Sequence, residues 1–251
     1  MKPTQVDLHI HTNYCPCAKE EMTIAAVVGK ARDRGLKSIG LVPHSYPIAE
    51  SGAEKLNTYE KVREEVAQIQ DTDLSVFVGA EVECLDDSGN LLFGKEISER
   101  VEYILAAPNH YPLSLVNDPP EEGRDLLDYH HRTMTNLMEN PLVSAIADPY
   151  HAFLELLPDL LDTAEKTFRA EAQKARETGT AIELNGSVFL SGKYSADAVA
   201  AYERFVEILA EEGAMFLLGS DSHCLEQVGR TPSHLLERFH IPDSQIWMPN
   251  R

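Results

Sequence analysis

The chain has 251 residues, is 43% hydrophobic and carries a formal charge of −19 from 41 acidic and 22 basic side chains. That length suits one large α/β domain, and that apolar content excludes general disorder. The acidic surface repels polyanions, which disfavours broad contact with nucleic acid or an anionic membrane; a small anionic substrate stays admissible where bound cations reverse the local field.

No apolar run approaches the roughly 18 residues of a membrane span. The first residues lack the apolar core of a signal peptide, so a cytoplasmic protein is expected. Four cysteines then read as thiols and not as a disulfide framework.

Strand and helix patterns alternate from end to end. Strands are predicted over 6–12, 38–42, 74–82, 103–107, 142–147, 181–184 and 215–219. Between them, helices are predicted over 20–34, 58–70, about 121–139, most of 158–178, and 196–212. Several of these helices stop at a glycine: Gly35, Gly179 and Gly213. Asp86 to Asn90 is turn chemistry, and 232–251 reads as a short helix with an extended tail. This order predicts parallel strands joined by helical crossovers, in a closed barrel or an open sheet. No glycine-rich phosphate loop follows the first strand, which weakens the nucleotide-binding open sheet. No linker divides 1–251, so a single domain is expected.

Metal-capable residues gather where the predicted strands end: His9 and His11, His44, Glu81 and Glu83, Asn109 and His110, Asp148 and His151, Glu183 and Asn185, Asp221 and His223. In a parallel barrel this rim is where catalytic groups assemble. Residues i and i+2 of a strand share a face, so His9 and His11 can approach one cation, and Asp221 and His223 repeat the spacing at the far end. If the sheet closes, the two pairs meet. Imidazole with carboxylate suits zinc, manganese or iron.

The chain resembles the polymerase and histidinol phosphatase (PHP) family. The resemblance rests on Asp7-Leu8-His9-Ile10-His11-Thr12, Val78-Gly79-Ala80-Glu81, Leu105-Ala106-Ala107-Pro108-Asn109-His110 and Leu218-Gly219-Ser220-Asp221-Ser222-His223. It implies a distorted seven-stranded (β/α)7 barrel with two or three divalent ions at the C-terminal ends of the strands. It also implies hydrolysis of a phosphoester on a small phosphorylated metabolite by a metal-bridging hydroxide.

Under that resemblance Glu81 bridges two ions, and His9, His11 and Asp221 hold one of them. His110 and Asp148 serve the second, while His44, Cys17 and His223 approach a third. Glu81, Asp221 and His223 would be the catalytic residues. Three positions depart from the family pattern. Cys17 takes a histidine's place, Pro43-His44 replaces Asp-His, and Asp148-Pro149 replaces His-Pro.

Phosphate needs a cationic or amide clamp beside the metals. Arg230 is the first candidate, Lys193 the second, and Asn185 can face the barrel mouth. His130, His131, His234 and His240 read as solvated or structural. All four cysteines flank site motifs. Cys17 is expected within reach of the metals, and Cys15, on the other face of an extended segment, is expected to matter less. Rival readings are a metallo-amidohydrolase, an exonuclease-like phosphodiesterase, and a non-catalytic metal-binding or regulatory barrel. The first commonly adds a mid-barrel lysine, which no strand end here offers.

Overall fold

The computed structural model describes residues 5–45, 52–69, 73–108 and 123–250, the side chains of 52–55 excepted. Seven strands run β1 (Val6–Ile10), β2 (Ser38–Leu41), β3 (Ser75–Glu83), β4 (Tyr103–Ala107), β5 (Ala145–Ile146), β6 (Ala181–Asn185) and β7 (Phe216–Gly219). They pair in that order and each pairing is parallel. The sheet closes past the strand ends: Ile10 bridges Ser222 in parallel, and His11 N donates to Ser222 O at 3.0 Å. The molecule is therefore a nearly closed seven-stranded β/α barrel, as the strand–helix rhythm with terminal strands adjacent requires.

The helices are α1 (Ile24–Asp33), α2 (Gly52–Ala67), α3 (Gly94–Ser98), α4 (Gly123–Glu139), α5 (Leu157–Thr178), α6 (Gly186–Leu190), α7 (Ala196–Glu212) and α8 (His234–Arg238). Thr23 and Ser195 cap α1 and α7 by accepting from Ala26 N and Ala198 N, and α5 and α7 end on left-handed Gly179 and Gly213, where glycine alone avoids a Cβ penalty. The short helices α3 and α6 carry no period long enough to be read from sequence. None of the described helices is long and apolar enough to cross a membrane.

Alternation sorts the strand side chains. Phe77, Tyr103, Leu105, Ala107, Ala145, Ala147, Ala181 and Leu217 fill the barrel, while Ile39, Val78, Ala106, Ile146, Ile182 and Leu218 pack outward beneath the helices. Gly40 and Gly79 leave room for the Tyr103 ring, which a Cβ at either would overlap; its hydroxyl donates to Leu8 O at 2.7 Å. Each fully buried Val, Leu, Ile or Phe among these contributes about 1.5–3 kcal/mol, and the alanines less.

Trp247 and Met248 close the lower end of the barrel, because Trp247 N donates to Phe216 O and extends the β7 edge. The tail is thus packed against the core. β5 has two residues, fewer than its apolar run suggested, since the chain turns out at Asp148 with φ 48°.

Candidate metal centre

The inward rows of the strands change from apolar to ionic as they rise. On β3 the row runs Phe77, Gly79, Glu81, Glu83; on β6 it runs Ala181, Glu183, Asn185. The rule of two fails on β1. There the pairing passes from Asp7 opposite Ile39 to Ile10 opposite Leu41, so β1 holds one extra residue. This bulge lets Leu8 fill the barrel and still turns both His9 and His11 into the mouth, with Ile10 facing out under α1. Bulges re-aim side chains in this way beside active sites.

The imidazole nitrogens and carboxylate oxygens converge. His9 Nε2 lies 3.1 Å from His11 Nε2, 3.2 Å from Glu81 Oε2 and 3.7 Å from Asp221 Oδ1. His11 Nε2 lies 3.4 Å from Glu81 Oε2 and 3.3 Å from Asp221 Oδ1. Ligands about 2.0–2.2 Å from a tetrahedral zinc ion stand roughly 3.3–3.6 Å apart, so the donors already have the spacing of a coordination shell.

Glu81 Oε2 is also 3.2 Å from His44 Nδ1, which places Glu81 between this group and a second one. The second consists of His11, Cys17, His44 and His223, whose donor atoms all lie within 4.8 Å of one another. A third set brings together His9, Asp148 and Glu183. The residue types and spacing fit divalent metal.

Glu183 is absent from the expected ligand set, although its i, i+2 spacing with Asn185 puts both at the mouth. Its Oε1 meets His9 Nδ1 at 2.8 Å, so the proton on Nδ1 is held there and Nε2 is left to face the cluster. Its Oε2 accepts Asp148 N at 2.9 Å, tying the β5 and β6 ends to β1. Gly219 is required by this pair: a Cβ there would overlap the Glu183 carboxylate and sit 2.6 Å from His9 Cβ.

Asp7 locks β1 to the closing motif, accepting from Ser220 N and Oγ at 3.0 and 2.7 Å and from Gly229 N at 2.6 Å. Glu83 holds His44 Nδ1 at 3.1 Å and accepts from Ser45 Oγ.

Charge in the cluster is set by opposition between burial and neighbours. Burial alone would lower the His9 pKa, but Glu183 and Glu81 outweigh it and raise it well above the ordinary value. His44 likewise resists burial and is pushed up to about 10 by Glu81 and Glu83. Burial works against the Glu81 and Asp221 carboxylates, yet the surrounding histidines hold both below their usual range. Burial pushes Glu183 up to about 7 in spite of His9. Metal-free, the centre is a mesh of imidazolium and carboxylate that a cation would enter by displacing protons.

Two strand ends are strained. Asp148 and Asp221 have φ of 48° and 53° without being glycine, at a cost of about 1–3 kcal/mol each. Asp148 is also fixed by Asn185 Nδ2 and by His151 Nδ1 at 3.5 Å. His151 Nε2 is buried with no hydrogen-bond partner among the described residues.

The placements of the sequence candidates differ. His9, His11, Cys17, His44, Glu81, Asp221 and His223 come together, and Asp148 stands beside Glu183 and His9. Asn109 and His110 lie outside the described residues. Asn185, expected at substrate, is 0% exposed. Its amide is taken by Asp148, and its Oδ1 accepts from Ser187 N to cap α6, so it braces Asp148. Arg230 is exposed and borders a small cavity with Ser187, Ser191, Gln227 and Ser220, the residue before Asp221 in the chain. Lys193 is exposed over the Tyr194 ring.

Two expectations are corrected. Cys15 does not point away: 12–18 is a turn and not an extended segment, and Cys15 is buried against His11 and the His44 amide. His130 is not solvated: it is fully buried, accepts from Tyr150 N at 3.3 Å and is pushed down to about 3 by burial. Its neighbour His131 is half-buried on Glu171.

No family model matches the chain. In sequence it is similar to a protein named "Probable phosphatase" from Acetivibrio thermocellus, 28% identical over 239 residues, spanning 94% of this chain and 88% of that one. A Clostridium acetobutylicum protein of the same name is 24% identical and covers 96% and 88%. In structure the chain is similar to histidinol phosphate phosphatase of Lactococcus lactis, solved with zinc, L-histidinol and phosphate. The TM-score is 0.58, with 15% identity and 95% of each chain covered. A HisK protein from Listeria monocytogenes aligns with a TM-score of 0.66 at 15% identity, covering 90% and 97%. The curated relatives are named as phosphatases, and the solved neighbours share the barrel.

Proposed function

We propose that the protein is a metal-dependent phosphatase that hydrolyses a phosphomonoester of a small metabolite. The observation that carries this reading is the convergence of the buried donors His9, His11 and Glu81 with the half-buried Asp221: the His9 and His11 Nε2 atoms lie 3.1 Å apart and each is 3.2–3.7 Å from Glu81 Oε2 and Asp221 Oδ1. The phosphatase relatives, and a neighbour that holds zinc, histidinol and phosphate, supply the reaction class. Divalent ions bound there would polarise phosphoryl oxygens and lower the pKa of a water to give hydroxide near neutral pH.

The chain's own residues prepare this chemistry. His9, His11 and Asp221 form one binding set, and His44, Cys17 and His223 another, with Glu81 between them. Asp148, with His110, serves the remaining position. Glu183 holds the His9 proton on Nδ1 and so keeps Nε2 aimed inward. Arg230, exposed beside the small cavity that Ser220 also lines, is the residue that would pair with the substrate phosphate, and Lys193 is the second candidate. His223, with a side chain 34% exposed, marks where substrate enters. The cytoplasm, which keeps the four cysteines as thiols, is the fitting compartment. Zinc, manganese and iron all suit the donors, and Cys17 favours zinc or iron.

The test is turnover of a generic aryl phosphate and a panel of phosphorylated metabolites, histidinol phosphate included, by protein loaded with each metal. Phosphate release that requires metal supports the reading. Loaded protein that binds metal and releases phosphate from none of the panel contradicts it.

A further inference from the structure

The turn after β1 carries a dithiol that the phosphatase reading leaves unused. Cys15 N donates to Thr12 O at 2.8 Å and Ala18 N donates to Cys15 O at 3.1 Å, so Pro16 and Cys17 occupy the middle of a tight turn. The two thiols flank Pro16 across this turn, and both sulfurs lie at His44: Cys15 Sγ accepts from His44 N at 3.4 Å, and Cys17 Sγ is within 4.8 Å of a His44 ring nitrogen. Their surroundings are unequal. Cys15 is 0% exposed, accepts from His44 N at 3.4 Å and touches His11. Cys17 is exposed, and its Sγ belongs to the group formed with His11, His44 and His223. Cys17 therefore has two competing uses: a donor, with three imidazoles, to a metal ion that would bind there, and a partner for the thiol two residues before it.

We propose that Cys15 and Cys17 are a modification site: a hydroperoxide converts them to a disulfide, and this withdraws Cys17 from the His11/His44/His223 group. The proposal rests on the metal-centre reading given above. The exposed Cys17 sulfur attacks the peroxide, the O–O bond breaks, and Cys17 becomes a sulfenic acid as its proton passes to the departing oxygen, which leaves as water when the oxidant is hydrogen peroxide. Cys15 then attacks the Cys17 sulfur, the S–S bond forms, and a second water departs. Two thiols lose two electrons and two protons, and the peroxide takes them up. A sulfur committed to the disulfide no longer offers a thiolate, so the second group drops from four donors to three imidazoles. A dithiol reductant reverses the step. The buried position of Cys15 makes it the resolving thiol: peroxide reaches Cys17 first.

The experiment uses zinc-loaded full-length protein treated with stoichiometric hydrogen peroxide, with zinc counted before and after and peptides mapped without reduction. The expected result is a Cys15–Cys17 linkage with loss of about one zinc per chain, regained on dithiothreitol and added zinc. Cys15→Ser should hold zinc when reduced, form no such linkage, and lose the same zinc irreversibly as Cys17 passes to sulfinic acid. A reduced protein that holds no zinc overturns the metal-centre reading and the inference together. Zinc-loaded protein whose Cys17 stays a thiol, or pairs with Cys224, overturns the inference alone, as does release from Cys15→Ser that dithiothreitol fully reverses.

Discussion

Two buried histidine-rich regions sit in this barrel, one at the mouth and one between α4 and α5, and they use burial for opposite ends. Between the helices, Tyr150 N donates to His130 Nε2, the Tyr150 hydroxyl donates to Glu171 Oε2 at 2.7 Å, and Glu171 Oε1 meets His131 Nδ1 at 3.1 Å. In each of these three contacts a donor faces an acceptor, and the network packs against the rings of Phe153, Phe168 and Phe205. At the mouth, nitrogen faces nitrogen. His9 and His11 point Nε2 at each other, and His11 lies against both His44 and His223, with ring centroids 4.6 and 4.4 Å away. A buried histidine is thus a weak sign of a site, whereas buried donors aimed at a common point are a strong one.

The largest effect should separate the two regions. His9→Ala, Glu81→Ala or Asp221→Ala should lower phosphatase turnover by roughly 10^3-fold, about 4 kcal/mol, and remove bound metal. His130→Gln should cost on the order of 1–3 kcal/mol of stability and leave turnover of the folded protein within a few-fold. Turnover and metal content of purified variants check both. If His130→Gln empties the metal centre, the regions are not separate.

The next effect sharpens the role of Glu183. As a brace for His9, Glu183→Gln should lower metal affinity or activity by about 10–100-fold and keep metal stoichiometry at saturating metal. A fall in stoichiometry would make Glu183 a ligand instead, as the His9/Asp148/Glu183 grouping also allows.

Stability against pH gives a third contrast. Burial holds His130 at about 3 when folded, against about 6.5 unfolded. The unfolded chain therefore binds the proton first. The stability His130 contributes is complete above about pH 6.5 and is lost as pH falls toward 3, by about 1.4 kcal/mol per pH unit. His44, pushed up to about 10 by its carboxylates, has the opposite sign: its contribution in metal-free protein is complete below about 6.5 and fades as pH rises toward 10. Denaturant unfolding of metal-free protein across pH 4–8 checks this. His130→Gln should flatten the acid side alone, and an unchanged acid slope would show that His130 is not the group responsible.

The smallest effect lies at the open rim. Arg230→Gln should raise KM for a phosphomonoester by about 10-fold with metal content unchanged, the worth of one charge-assisted hydrogen bond. Lys193→Ala should change KM by less than about 3-fold, since it is exposed and stacks on Tyr194. Equal effects at the two positions would contradict this ordering.

The parallel strand order and most of the rim were legible in the sequence because both follow from short-range rules: alternation along β3 and β6 places Glu81 and Glu183 inward. Closure of the sheet was not, since the same rhythm fits an open sheet, and it was expected only from the family resemblance. What was not legible depends on local departures from period. The β1 bulge is visible only against β2, because the shift is a property of the pair. The Pro16 turn hid the burial of Cys15, since an extended segment was assumed where proline favours a turn.

His130 was available and was missed. It lies four residues after Leu126 and four before Met134, on the same buried stripe of α4 as Thr133 and Leu137. Its polar neighbours Asp128, His131 and Arg132 concealed that spacing. Asn185 was placed on the correct face of β6, but which neighbour would claim its amide is fixed by the strained turn at Asp148, a tertiary fact.

The central claim is that the donors at the barrel mouth form a metal centre on which phosphate release depends. The most direct measurement is metal content of the purified protein by mass spectrometry, paired with turnover of an aryl phosphate before and after chelation and after metal is restored. The account predicts two or three divalent ions per chain, loss of turnover with their removal and recovery on their return. Metal-free protein that releases phosphate at the same rate as the loaded form would contradict it.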